Sequence, residues 1–141
     1  MRRAHLRDGE GPEPLVGQES AQSAYGRPET EIVPGIEAID AAGHTPGHLA
    51  LGIRSEGEEL LYVSDAALHP IHLEQPDWHP VWDVEPEKAI ANKRRLFDRA
   101  ANDHALMLAF HFAPFPSLGH VTKRGHGWQW DPIALDAPTG S

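Results

Sequence analysis

Apolar and polar residues alternate in short runs along most of the chain, and the runs predict a sheet with one principal helix. Glu31–Val33 and Ile36–Ala42 read as two short strands about a turn at Pro34-Gly35. Leu49, Leu51 and Ile53 alternate with Ala50, Gly52 and Arg54, which gives a strand with one strongly apolar face. Ser55–Glu59 is charged and contains Gly57, so it reads as a hairpin loop, and Leu60–Val63 returns as an apolar strand of the kind buried on both faces. Ala105–Phe110 is a further buried strand with Met107 as core filler. A last hairpin begins at Val121, turns across Arg124–Gly127 with His126 exposed, and continues through Trp128-Gln129-Trp130.

The helix opens at Glu85-Pro86-Glu87, where proline suits the first helical position and acidic groups suit the positive end of the dipole. Ala89, Ile90, Leu96, Phe97, Ala100 and Ala101 share one broad face, and the helix stops near Asn102-Asp103. Lys88, Asn92, Arg95, Arg99 and Asn102 fall mostly opposite and read as a solvated face. Between strand and helix, Ala66–Asp83 is a long connection without clear periodicity, rich in His69, His72, Trp78, His79 and Trp82. Two readings of it stay open: the aromatic and imidazole groups wall a substrate pocket, or the tryptophans pack the loop onto the sheet or onto a partner subunit.

Residues 1–28 hold Gly and Pro at short intervals with isolated apolar side chains, and read as a flexible arm with a short helix near Gln18–Tyr25. Residues 29–133 form the domain and 134–141 a disordered tail. A chain of 141 residues has room for one domain with a modest core. It has no apolar stretch of membrane-spanning length, and its N-terminus lacks the apolar centre of a signal peptide, so a cytoplasmic location is expected. A formal charge of −9 with scattered basic residues argues against nucleic acid as a partner. The absence of cysteine excludes disulfides, thiolate metal sites and cysteine nucleophiles. Ten histidines, by contrast, raise the expectation of metal chemistry or proton handling.

The candidate chemistry sits at strand ends. Gly43-His44-Thr45-Pro46-Gly47-His48 joins two strands, with Pro46 and Gly47 restricting the turn; by itself it is equally a plain turn with two incidental histidines. Two later apolar runs end in Ser64-Asp65 and in His111. Strands that each deliver one imidazole or carboxylate to a sheet rim supply the nitrogen and oxygen ligands of zinc and its neighbours. His44 either joins such a site or braces it through a hydrogen bond, and bracing is the reading we favour.

Taken together, Gly43–His48, Ser64-Asp65 with Leu68-His69-Pro70, and His111 leading into Phe115-Pro116-Ser117-Leu118-Gly119-His120 resemble the metallo-beta-lactamase superfamily, closest to its lactonase and methyl-parathion-hydrolase-like branch. The resemblance implies an α/β (α+β) fold: half of an αββα sandwich, with a mostly antiparallel, mixed sheet and one main amphipathic helix. It implies that His48, Asp65 and His111 are metal ligands, with Asp65 catalytic and bridging two metals, and that His44, His69, Phe115 and His120 brace them or line the pocket. It implies zinc or another divalent metal, and hydrolysis of a small-molecule lactone, ester or phosphotriester. Where the family usually has glycine before the bridging aspartate, this chain has Ser64, which should crowd the approach.

The family's His-x-His-x-Asp-His loop is absent from the sequence, so the chain looks like the C-terminal half alone and is expected to be inactive in isolation. One apolar sheet face would then lack its usual cover. The expected cover is a separate N-terminal half or a second copy in a homodimer, and in the latter case the chain is a non-catalytic interaction fragment with or without a residual metal.

Overall fold

A computed structural model describes residues 29–134; the expected arm, its short helix and the tail beyond residue 134 lie outside the described residues. Seven strands form one sheet in chain order: β1 (Glu29–Val33), β2 (Ile36–Asp40), β3 (Leu49–Ser55), β4 (Glu58–Tyr62), β5 (Leu106–Leu108), β6 (Leu118–Arg124) and β7 (Gly127–Pro132). Every neighbouring pair is antiparallel except β4 and β5, which run parallel. Parallel strands need a crossover. Here it contains a 3-10 turn (Ser64–Ala66), the short helix α1 (Ile71–Glu74) and the long helix α2 (Pro86–Asn102).

Strand register sorts the side chains into two rows, because directly paired residues point to the same face. One row runs Ile39, Ala50, Leu61, Met107 and Gly119 across five strands, and all are buried. Leu73 of α1 and Leu96, Phe97 and Ala100 of α2 belong to the same core, and Phe97 meets Trp128 edge-on with ring centroids 5.5 Å apart. The other row carries Leu51, Ile53, Leu60, Tyr62, Leu106, Leu108 and Leu118, all half-buried, and part of it opens into a groove of about 930 Å³. Leu60–Val63 is therefore not covered on both sides: Leu61 and Val63 are buried, whereas Leu60 and Tyr62 belong to the second row.

Three expectations change. The 66–83 connection is not wholly irregular, because α1 forms within it. The run from Ala105 contributes only three residues to a strand, and Phe110 is already 47% exposed. The polar side of α2 is not simply solvated, since its long side chains reach backbone carbonyls that the loops leave unpaired. Asn92 donates to Ala42 O at 2.7 Å, Arg95 to Asp40 O, and the buried Lys93 to Trp78 O at 2.5 Å. Arg99, 12% exposed at the side chain, binds Glu37 and Glu59, whose side chains are 14% and 10% exposed.

Removing the guanidinium from that network leaves two mostly buried carboxylates facing each other. Arg99→Ala is expected to lower stability by roughly 2–3 kcal/mol, less than for a fully buried pair because Arg54 still lies 3.2 Å from Glu37. Urea unfolding near neutral pH should show the loss.

Candidate metal centre

The loop between β2 and β3 is tied to itself before it holds anything else. Ala41 N donates to His48 O at 3.0 Å, Gly43 N to Thr45 O at 3.1 Å and His48 N to Thr45 O at 3.3 Å. Gly43 has φ +140°, and a Cβ there would sit 2.3 Å from Ala89 N, so only glycine lets the loop lie against the start of α2. The loop thereby fixes His44 and His48 beside the exit of β4.

That exit carries Asp65 in its 3-10 turn. The Asp65 amide donates to His48 Nε2 at 3.0 Å, and its Oδ1 lies 2.8 Å from His111 Nε2, delivered by the loop after β5. His44 Nε2 is 3.7 Å from Asp65 Oδ2, and His44 Nδ1 bonds Asp83 Oδ1 at 2.9 Å. Thus His44, His48 and His111 all gather on Asp65. The position before it, Ser64, has φ +49°, the left-handed region where a side chain is disfavoured. What the structure shows at Ser64 is a disfavoured backbone conformation, a different matter from the crowded approach expected there.

Burial sets the protonation states. It pushes His48 below its ordinary pKa, against the opposing pull of Asp65, and the Asp65 amide needs an unprotonated Nε2 in any case. His72 is lowered from 6.5 to about 4, first by burial and then by the charges of Lys93 and His69; its Nδ1 accepts from Leu68 N at 3.3 Å. Burial likewise brings Lys93 down to about 8, although Asp83 and Asp77 pull upward.

The remaining sequence candidates lie elsewhere. His69 is exposed and its Nδ1 accepts from Ile71 N at 3.1 Å, so it serves the start of α1. Phe115 is 85% exposed on the loop that follows His111. His120 stands on β6 and lines the groove of the second row with Ile53, Leu60 and Leu106. Asp83, conversely, is a member of the cluster that the sequence did not single out. Its only signal was an acidic residue closing a histidine-rich connection.

Imidazole nitrogens and carboxylate oxygens with no thiolate suit zinc and neighbouring divalent metals in kind. Among the described residues, however, no three His, Asp or Glu side chains come close enough together to hold a metal ion, and the contacts run pairwise through Asp65. The donors suit such a metal in chemical kind, while their arrangement does not bring three of them onto one point.

Solved structures share this arrangement of strands and helices. A hydrolase of the beta lactamase superfamily, AbOPH, superposes with a TM-score of 0.68 at 29% identity, over 74% of this chain and 36% of that one. AidC, a dizinc quorum-quenching lactonase in complex with a product, gives 0.71 at 28% identity, over 77% of this chain and 37% of that one. An N-acyl homoserine lactone hydrolase, with its product bound at the catalytic metal center, gives 0.52 at 26%, over 64% and 38%. The chain thus spans less than two fifths of the length of each of these three proteins. No family model and no curated protein matches the sequence.

Two outcomes follow from the local physics. Ser64→Gly relieves the left-handed strain and should stabilise the fold by up to about 1 kcal/mol in urea unfolding. For His72, the unfolded chain takes up a proton as pH falls from 6.5 toward about 4 while the folded chain does not, so stability is full above 6.5 and is lost through that window. His72→Asn, whose Oδ1 replaces the acceptor without titrating, should flatten the dependence of Tm on pH over that range.

Proposed function

We propose that the chain, which shares its fold with solved members of the metallo-beta-lactamase superfamily, supplies one side of a divalent-metal centre for hydrolysis of a lactone, ester or phosphotriester. The observation that carries this reading is the convergence of His44, His48 and His111 on Asp65 at one rim of the sheet. The solved relatives at 28% and 29% identity, a dizinc lactonase and a hydrolase, support it.

In this reading His48, Asp65 and His111 are the residues that hold the metal, which when bound supplies Lewis acidity and a water of lowered pKa. Burial pushes His48 toward the neutral state in which imidazole binds a metal, and its Nε2 would have to release the Asp65 amide to do so. Asp65 lies at the centre, its backbone amide bound to His48, one carboxylate oxygen bound to His111 and the other 3.7 Å from His44. His111 is 40% exposed at its side chain. Trp78, Trp82 and Phe115, on the loops that lead to Asp83 and away from His111, are 59%, 65% and 85% exposed, and supply apolar surface for the non-reacting part of a substrate. The donors that close the shell come from outside residues 29–134 or from a separate N-terminal half, which makes this the C-terminal half of a complete site.

The half-buried apolar row favours a second reading, in which two copies pair these faces in a homodimer and the histidines serve no catalysis. One experiment separates the two: zinc titration and elemental analysis on protein of measured oligomeric mass, beside Asp65→Ala and His111→Ala. The hydrolase reading expects zinc to bind and the affinity to fall at least about tenfold in both variants. A dimer that takes up no zinc, or zinc binding that neither variant changes, would overturn it in favour of the interaction fragment.

A further inference from the structure

The second face of the sheet has an apolar floor and an acidic margin. Leu60, Leu106 and Leu118 line the groove of about 930 Å³, and Glu58 and Asp103 stand along it. Glu58 is exposed, and the Asp103 side chain is 50% exposed. Among the described residues the lining holds one arginine and no lysine, and that Arg54 is already engaged, 3.2 Å from Glu37 and 3.8 Å from Glu59. An apolar groove with exposed carboxylates at its margin suits an apolar segment that carries cations.

The chain itself contains such a segment. Arg2, Arg3 and Arg7 come before the first acidic residue, Asp8, with Leu6 among them, and Leu15-Val16 and Tyr25 follow. Residues 135–141, by contrast, hold no lysine or arginine, and the matching face of a second copy would present the same acidic lining. Residues 1–28 join the sheet at Glu29 of the edge strand β1, four strands from β5. Four strand spacings amount to about 19 Å, whereas 28 residues extend to about 90 Å, so the segment can reach every part of the groove.

Thr30 marks the entry. It pairs with Ala38, and Ala38 with Leu51, so it stands on the second row; yet its hydroxyl is buried and has no hydrogen-bond partner among the described residues. Ala38 is fully buried as well, but it does not belong to the core that α1 and α2 close. A buried hydroxyl without a partner is costly, and backbone laid across this row would supply one.

We propose that residues 1–28 lie in this groove of their own chain, with Leu15 and Val16 on the leucine row and Arg2, Arg3 and Arg7 facing Glu58 and Asp103. The apolar face then has its occupant within the same polypeptide, and any second polypeptide that pairs there must displace it. The assignment requires no metal and involves none of the histidine cluster.

Because the chain has no cysteine, a single introduced thiol takes a nitroxide label at one position only. Methyl spectra of full-length, labelled Gln18→Cys are compared with those of the same protein after the nitroxide is reduced. The expected result is a loss of most methyl intensity at Leu60, Leu106 and Leu118, with Leu73 and Leu96 in the core on the opposite face much less affected. Arg2→Glu, Arg3→Glu and Arg7→Glu combined in the labelled chain should restore much of that intensity. In a mixture of nitroxide-labelled chains without isotope and isotope-labelled chains without nitroxide, the intensity should stay, because the contact lies within one chain. Unchanged methyl intensity at the three leucines in the labelled full chain would overturn the proposal, and so would a loss that the triple variant leaves intact. A loss of equal size in the mixture would overturn it too, and would assign the groove to a second copy.

Discussion

The structure depends on a small set of hydrogen bonds that α2 makes with the loops it packs beside. Loops that carry functional side chains leave backbone carbonyls without partners in a sheet or helix, and buried carbonyls without partners are costly. Asn92, Arg95 and Lys93 answer those of Ala42, Asp40 and Trp78, two in the β2–β3 region and one in the crossover. The helix docks through Leu96, Phe97 and Ala100, which meet the buried row of the sheet, and its polar stems run past that contact to the loops. The same helix therefore builds the core and aligns the two segments that bring His44 and Asp83 together. Burying an ammonium to do so shows in the depressed pKa of Lys93.

Around Asp65 the described residues are well ordered internally and open externally. His48 binds its amide, His111 one oxygen, and His44 faces the other. The sheet has a matching character, since one face is closed by α1, α2 and their apolar side chains while the other shows a half-buried row of leucine, isoleucine and tyrosine. Both features are one-sided. A sheet built this way has apolar area without a helix on it.

Periodicity made most of the fold legible. Residues such as Leu49, Leu51 and Ile53 alternate cleanly, and the Pro86 start with the Leu96–Phe97–Ala100 face located the long helix to within a residue or two. The short elements were harder, because α1 spans four residues and β5 three, too few for a period to emerge. Arg99, Arg95 and Asn92 read as solvated from helix phase alone, whereas long side chains can bend toward carbonyls or carboxylates that phase does not reveal. His48, Asp65 and His111 could be singled out because each follows or precedes an apolar run, and the structure brings them together. Asp83 could not, since it joins the cluster through a contact with His44 across 39 positions of chain, and nothing local marks that pairing.

The single parallel pair has a kinetic side. Hairpins such as β3–β4 and β6–β7 close over short turns, but β4 meets β5 only after the whole crossover has been drawn in, and closing a longer loop costs more entropy before any contact repays it. His48 and Asp65 lie 17 positions apart on one side of that closure, while Asp65 and His111, 46 apart, are joined across it. The contact that completes the histidine cluster is thus among the last the chain can make, and a cation bound there would reward only molecules whose strand order is already correct.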